Sequence, residues 1–265
     1  MNVLAYAARR QCQVFVAVLY REAVNRFARR SLGFIEEAGT ILVHIAVFSS
    51  MRIMFGIERQ NGMEVLPFIC VGVFNFWLFR TGMAQMPQAL GVAKSYMAFS
   101  PVTPLDVALA RGVVNILLYI ALAVLTFIIL QLFGYSAPVG NWTDIILILL
   151  ANGLFGIGWG LILAGVFHYL PIMRTVMMVG VMRFLALIDG TFFVFPDLPP
   201  LLRVYAVWIP NLQLNDMARQ AYFPSYRENW TSLAYVTGWI AGTLLLGLLV
   251  ERALRNVTQA QRRSA

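Results

Sequence analysis

A polar break runs directly into a long apolar segment in the stretch KSYMAFSPVTPLDVALARGVVNILLYIALAVLTFIILQLF, residues 94–133. The break carries two prolines and a cluster of serine, threonine and aspartate side chains, which together cannot continue a membrane helix. Thr103 or Asp106 is suited to cap the following helix, because either side-chain oxygen can accept a hydrogen bond from the first helical turn. The sequence therefore predicts an exposed connection followed by a membrane-spanning helix over residues 105–133.

The composition of the whole 265-residue chain points to the same membrane setting. Hydrophobic residues make up 60% of the chain and charged residues 12%, whereas ordinary soluble domains have about 25% charged residues. We therefore predict an all-α integral membrane protein that forms one transmembrane domain over residues 1–265. The six apolar segments long enough to span a bilayer are residues 38–55, 65–84, 105–133, 145–170, 176–195 and 233–250.

The distribution of arginines predicts the orientation of these spans. Six arginines precede the first span and four follow the last, and basic residues favour the cytoplasmic side of a membrane. Both chain ends are therefore predicted to be cytoplasmic, which requires an even number of spans and places the polar segment 85–106 inside the cell. The proline- and aromatic-rich segment 196–230 would face outward and form short re-entrant helices over about 201–207 and 212–221, the second capped by Asn211.

Residues 14–33 show a helical period with two unequal faces. Valine, leucine, alanine and phenylalanine side chains fall on one side, and the other side carries Glu22, Arg26, Arg29 and Arg30. This pattern predicts an amphipathic helix that lies along the inner membrane surface. Two interpretations stay open: a basic anchor that only fixes the topology, or arginines that also bind an anionic lipid-linked group or a partner protein.

The sequence contains no complete motif for catalysis, nucleotide binding or metal binding. A Walker A loop ahead of Lys94 would need glycines at two positions that hold Gln88 and Ala93. His44 and His168 lie in different predicted spans, without a cysteine or carboxylate at metal-ligand spacing. We therefore predict no catalytic residue, no metal and no cofactor on this chain. The arginines are spread along an apolar chain without a nucleic-acid motif, so nucleic acid is not a predicted partner.

Charged and aromatic residues near the membrane form a further set of candidates. Ionisable groups at membrane depth are costly, which makes Arg183 and Asp189 candidates for a polar path. Glu36 and Glu37, at the entrance of the first span, are expected to pair with Arg29 or Arg30. The aromatic residues of segment 196–230 favour an interfacial belt, with stacking on sugar rings as the alternative.

Small residues in the fourth predicted span indicate how it packs. Gly156, Gly160 and Ala164 lie at four-residue intervals on one helix face. Small residues at this spacing let helix backbones approach closely, within one protomer or across a dimer. They favour packing over a role in the transport path.

Three groups of residues, in their order and spacing, resemble a known transporter family. They are Arg21-Glu22, Arg26-Phe27 and Leu32-Gly33; Ser100-Pro101-Val102-Thr103-Pro104-Leu105-Asp106 and Ala110-Arg111; and Trp208-Ile209-Pro210-Asn211, Arg219-Gln220-Ala221 and Pro224-Ser225-Tyr226. Over nearly its whole length the chain resembles ABC-2 type transporter permease subunits of the capsular polysaccharide export family. Glu36, Glu37 and Asp189 depart from that pattern, which has apolar or uncharged residues there.

This resemblance implies a six-span permease of the ABC-2 fold that pairs with a second copy and with two ATPase subunits, which hold ATP and magnesium. It implies export of a lipid-linked capsular polysaccharide across a Gram-negative inner membrane, with membrane lipids and a periplasmic polysaccharide copolymerase as further partners. The ATPase-coupling residues that it implies are Lys94, Ser100, Pro101, Thr103, Pro104 and Asp106. The substrate-path residues are Arg26, Arg29, Arg30, Lys94, Arg183, Asp189, Tyr205, Trp208, Tyr222 and Trp230. The alternatives are a cargo of O-antigen, teichoic acid or a small hydrophobic drug, and a membrane-embedded lipid-modifying enzyme.

Overall fold

The computed structural model describes residues 3–28, 31–92 and 102–264, and these are mostly helical. The helices are α1 (Val3–Ala28), α2 (Ser31–Met54), α3 (Val65–Val92), α4 (Pro104–Leu132), α5 (Trp142–Tyr169), α6 (Ile172–Thr175), α7 (Met182–Ile188), α8 (Pro200–Ala206), α9 (Pro210–Tyr222) and α10 (Leu233–Ser264). A small antiparallel hairpin, β1 (Arg59–Gln60) and β2 (Met63–Glu64), turns the chain between α2 and α3. Apart from this hairpin, the predicted all-α class is confirmed.

Five of these helices are long and apolar enough to cross a membrane, within the described ranges. Their apolar parts are Ile35–Met54, Val65–Leu90, Pro104–Leu132, Trp142–Tyr169 and Leu233–Asn256. They correspond to five of the six predicted spans, with ends that differ by a few residues.

The fifth predicted span, residues 176–195, is shorter as a helix than the sequence indicated. A π-helical turn (Val176–Val181) leads into α7, which ends at Ile188. Gly190 has a φ of +79°, a left-handed conformation that stops a helix. The apolar residues that follow are therefore not helical, and a sixth crossing stays a prediction.

At the start of α4, both capping residues suggested by the sequence act together. Thr103 Oγ1 accepts a hydrogen bond from the backbone N–H of Asp106 at 3.2 Å, and Asp106 Oδ2 accepts one from the backbone N–H of Thr103 at 2.9 Å. Pro104 occupies the first helical turn, where its fixed φ suits the helix and its missing N–H costs nothing. This reciprocal capping box determines where the polar segment ends and the span begins.

Helix α3 forms the centre of the bundle, and α5 packs closely against it. Within the apolar part of α3, 83% of the residues are buried, against 17% for α2 and 22% for α10. A Cβ added at Gly156 would lie 2.5 Å from the carbonyl oxygen of Phe79, and one at Gly160 would lie 2.7 Å from that of Gly82. The small-residue face predicted from the sequence therefore packs within the protomer, on α3.

Filling this contact is expected to prevent normal folding. Gly160→Val places a branched side chain against Gly82 and Met86, at a cost of about 1–3 kcal/mol or more for overpacking. We expect a several-fold lower yield of monodisperse protein, measured by size-exclusion chromatography of a fluorescent fusion. Gly242→Val is the matched control on α10, because a Cβ there meets nothing within 4 Å. Equal yields from the two variants would contradict the packing of α5 on α3.

The connecting segments gather at two opposite ends of the bundle. At one, which we call the α1 end, α1 crosses the start of α4, and Val18 packs on Val107 and Ala110. At the other, which we call the loop end, hydrogen bonds join the hairpin and residues 134–141 to the segment 189–232. Helices α8 and α9 belong to the loop end, within two residues of the short helices that the sequence predicts.

Candidate functional site

Glu37 joins the helices of the α1 end through two hydrogen bonds. One carboxylate oxygen accepts from the guanidinium of Arg26 on α1 at 2.5 Å, and the other accepts from the hydroxyl of Tyr119 on α4 at 2.6 Å. The Tyr119 hydroxyl also lies 3.0 Å from that of Thr81 on α3. The carboxylate of Glu37 on α2 thus links α1 and α4 directly, and α3 through the Tyr119 hydroxyl, and it balances the charge of Arg26.

Arg26 also contacts a polar pair between α3 and α4. Its guanidinium lies 3.5 Å from Gln85 Oε1, which accepts a second hydrogen bond from the side-chain amide of Asn115. Asn115 is buried in a long apolar helix, so its amide needs a partner inside the protein. A continuous set of hydrogen bonds therefore runs from α1 into the interior of the bundle.

Several predicted site residues lie outside the described part of the chain. Arg183 belongs to α7, but its side chain is not among those described. The residues that lie outside altogether are Arg29, Arg30, Lys94, Ser100 and Pro101. Glu37 forms its ion pair with Arg26, whereas the sequence predicts Arg29 or Arg30, and these two arginines lie outside the described residues.

Asp106 connects the start of α4 to α1 in addition to capping it. Its Oδ1 accepts a hydrogen bond from Gln11 Nε2 at 2.8 Å, while Oδ2 serves the capping box. Farther along α4, Arg111 Nε lies 3.1 Å from Glu22 Oε2, and the Glu22 side chain is only 8% exposed. Two polar contacts therefore attach α1 to the beginning of α4.

Arg219 is fully buried at the loop end. Its guanidinium donates hydrogen bonds to the carbonyl oxygens of Phe193 at 2.8 Å and Thr191 at 3.0 Å. Its Cζ lies 3.9 Å from the centre of the Phe68 ring on α3, and the carboxylate of Asp216 is 4.0 Å away. This one side chain ties α9 both to α3 and to the chain that follows α7.

Asp216 accepts hydrogen bonds from two aromatic side chains. Trp230 Nε1 donates at 2.7 Å, and the Tyr226 hydroxyl lies 3.1 Å from both carboxylate oxygens. Burial raises the pKa of Asp216 to about 6, against the opposing effect of Arg219, and burial lowers the pKa of Arg219 to about 10. The two groups lie 4.0 Å apart and form an ion pair inside the loop end.

Asp189 lies in the same buried cluster. Its carboxylate accepts hydrogen bonds from the Thr191 hydroxyl at 2.7 Å and from Asn211 at 3.3 Å, and its backbone carbonyl accepts one from Asn215 at 2.7 Å. The sequence predicts that Asn211 caps the second short helix of this segment, which is α9. That prediction is wrong, because Asn211 lies in the first turn of α9 and Ile209 holds the cap position. Asn211 instead donates its hydrogen bond to Asp189, which holds α9 against the end of α7.

The four aromatic residues predicted for the outer part of the path fall into two groups. Tyr205 and Trp208 are at the surface, with 69% and 67% of each residue exposed. Tyr222 is buried and packs edge-on against Phe127, with 5.0 Å between ring centres. Trp230 is partly buried in the loop-end cluster. Tyr205 and Trp208 are therefore the two of these four residues that lie at the surface.

Named relatives cover nearly the whole chain, although no model of a known protein family matches it. The polysialic acid transport protein KpsM of Escherichia coli is 25% identical over 240 residues, 89% of this chain and 91% of that protein. The capsule polysaccharide export inner-membrane protein CtrC of Neisseria meningitidis serogroup B is 24% identical over 226 residues, 83% of this chain and 84% of that protein. BexB of Haemophilus influenzae, also a capsule polysaccharide export inner-membrane protein, is 22% identical over 247 residues, 91% of each chain.

The chain is a homologue of these export proteins. The relatives confirm the resemblance carried by the three groups of residues, since they match this chain along almost its full length. Together with the five apolar helices, they identify this capsule-export homologue as a multi-pass inner-membrane protein.

Neither Asp216 nor Arg219 is a predicted site residue of this chain, and the sequence holds one signal for them. Their spacing of three residues on a short helix suits an ion pair along one face. The role of Gly72 on α3 is visible only in the structure, where a Cβ at this position would lie 2.5 Å from the carbonyl oxygen of Thr191 and 3.1 Å from the Arg219 guanidinium.

Proposed function

We propose that this chain is the membrane permease of an ATP-driven exporter that moves lipid-linked capsular polysaccharide across the inner membrane of a Gram-negative bacterium. The observation that carries the proposal is homology to capsule polysaccharide export proteins along about nine tenths of the chain. The five apolar helices supply the membrane part. The chain is the translocating subunit, and a separate ATPase subunit binds ATP and magnesium and hydrolyses the ATP.

The working complex in this proposal contains two copies of the chain and two ATPase subunits. The apolar parts of α2 and α10 leave most of their residues unburied in a single copy, so these helices have apolar surface available for a second copy or for lipid. The arginines at both chain ends favour the cytoplasm for the α1 end. The loop end then faces the periplasm, where a polysaccharide copolymerase receives the product.

The ATPase docks, in this proposal, on the segment that precedes α4. Asp106 supports this assignment because it caps α4 and binds Gln11 of α1 at the same time. Closure of the ATPase dimer would push on the segment, and the push would reach α4 and α1 together. The pair between Arg111 and Glu22 keeps the two helices moving as one unit.

The positive charge that attracts an anionic substrate at the α1 end comes, in this proposal, from Arg26, Arg29, Arg30 and Lys94. Arg26 already has its charge balanced by Glu37 at 2.5 Å, which weakens its attraction for a further phosphate or carboxylate. Arg183 adds a further charge along the path. At the loop end, the exposed rings of Tyr205 and Trp208 supply flat apolar faces on which sugar rings can stack.

Gentle purification of the tagged, full-length chain from its own cells tests this function. We expect an ATPase subunit to co-purify in equal amount, and we expect cells that lack the chain to retain capsular polysaccharide inside. A chain that purifies alone, and whose loss leaves surface polysaccharide unchanged, would contradict the proposal. Turnover of a lipid by the purified chain without an ATPase would indicate a lipid-modifying enzyme instead. If cells that lack the chain retained O-antigen inside and not capsular polysaccharide, O-antigen would be the exported substrate.

A further inference from the structure

A pocket of about 670 Å³ lies at the loop end, between the start of α5, the last turns of α9 and the segment that leads into α10. A volume of this size suits a small organic ligand or a lipid headgroup. Its lining includes the apolar side chains of Leu147, Met217 and Leu233. Leu147 and Leu233 are 55% and 70% exposed, and they lie near the ends of the two apolar helices α5 and α10. The pocket therefore opens where the apolar spans give way to polar chain, at the level of lipid headgroups.

The lining also includes polar side chains, whose hydrogen-bonding capacity the described residues do not fully use. Gln220 Nε2 is buried and finds no acceptor within the described ranges, a situation that normally costs free energy unless a ligand or water supplies one. The Arg227 guanidinium has no carboxylate within 4.0 Å in the same part of the chain. Asp144 also lines the pocket, and its Oδ2 accepts a hydrogen bond from Asn141 at 2.8 Å. Two donors and one carboxylate thus surround one opening.

We propose that this pocket binds the headgroup of one phospholipid that carries an amine. The phosphate lies against Arg227 and Gln220, because a guanidinium and an amide N–H are both donors for phosphate oxygens. The ammonium lies toward Asp144, which supplies the acceptor and the opposite charge. The acyl chains run along the exposed side chains of Leu147 and Leu233, toward the apolar lengths of α5 and α10. This site goes beyond the proposed transport function, and its occupancy does not depend on which polysaccharide is exported.

Binding of defined lipids to the delipidated, full-length protein tests this site, with native mass spectrometry as the measurement. The probes are phosphatidylethanolamine, phosphatidylglycerol and inorganic phosphate. We expect one bound phosphatidylethanolamine, weaker binding of phosphatidylglycerol, and no displacement of the lipid by inorganic phosphate. Arg227→Gln is expected to weaken binding of phosphatidylethanolamine by about tenfold. Asp144→Asn is expected to remove the preference for phosphatidylethanolamine over phosphatidylglycerol.

Arg59→Gln is the matched control, since Arg59 is an exposed arginine on the hairpin of the same loop end. Equal losses in Arg59→Gln and Arg227→Gln would indicate general attraction to the surface and would overturn the site. Equal binding of the two lipids by the wild type and by Asp144→Asn would overturn the assignment of the amine. Displacement by inorganic phosphate would make free phosphate the ligand. Crosslinking of two chains by a Leu233→Cys variant, with no lipid bound to the crosslinked protein, would place a second copy in the pocket and would also overturn the proposal.

Discussion

Replacing Arg219 with methionine is expected to destabilise the folded protein by about 3–5 kcal/mol, the usual cost of breaking a buried ion pair. The substitution leaves the carboxylate of Asp216 buried without its cation, and it leaves the carbonyl oxygens of Thr191 and Phe193 without their donor. The contact with the Phe68 ring loses its charge as well. We expect the apparent melting temperature in detergent to fall on the order of 10 °C, measured by intrinsic tryptophan fluorescence.

Two further variants show whether the ion pair is the cause of this loss. The double variant Asp216→Asn with Arg219→Met buries no unpaired charge, so we expect it to be more stable than Arg219→Met alone. Arg59→Met is the control, because Arg59 is exposed on the hairpin and its loss is expected to leave the melting temperature unchanged. If Arg219→Met melted at the temperature of this control, the buried cluster would not hold the loop end together.

The parts of the fold that depend on neighbouring residues could be predicted from the sequence. Five spans follow from runs of apolar residues, and their helices need no information from elsewhere in the chain. The capping box at the start of α4 depends on Thr103 and Asp106, which are only three positions apart. Local chemistry was therefore sufficient for the boundary between the polar segment and the third span.

The end of α7 could not be predicted in this way. Residues 192–194 are as apolar as a membrane helix, so composition alone extends the fifth span through them. The helix stops because Gly190 adopts a positive φ and Asp189 bonds to Thr191 and to Asn211 of α9. The deciding contacts come from a separate helix, and a local pattern does not contain them.

The polar clusters at both ends share this dependence on tertiary contacts. Several arginines precede the first span, and the packing of α1 on α4 selects Arg26 as the one that meets Glu37. In the sequence, Arg219 is an ordinary polar residue of a short helix. Only the structure shows that Gly72 allows α3 and the chain after α7 to approach it closely. Residue types alone indicated that charged side chains near the membrane have a structural or functional role. They did not indicate which of these side chains form ion pairs with one another.

Replacing Asp106 with alanine is expected to lower coupled export by about tenfold or more while leaving membrane insertion intact. Insertion depends on the apolar run of α4, which the substitution does not touch. The variant loses the hydrogen bonds to the Thr103 backbone and to Gln11, so the preceding segment no longer ends at a fixed helix start. The measurement is the amount of polysaccharide exported for each ATP hydrolysed by the assembled complex in vesicles.

Gln11→Leu separates the two roles of Asp106, because it removes the link to α1 and keeps the capping box. We expect a smaller loss of export than in Asp106→Ala, since Arg111 and Glu22 still attach α1 to α4. Glu58→Ala removes an exposed acid near the hairpin and is the control, with export expected to be normal. Normal export by Asp106→Ala would show that the start of α4 is only a connector. Continued ATP hydrolysis with little export would instead show that Asp106 couples hydrolysis to export. In that case the ATPase would still dock and turn over, but its movement would no longer reach the helices.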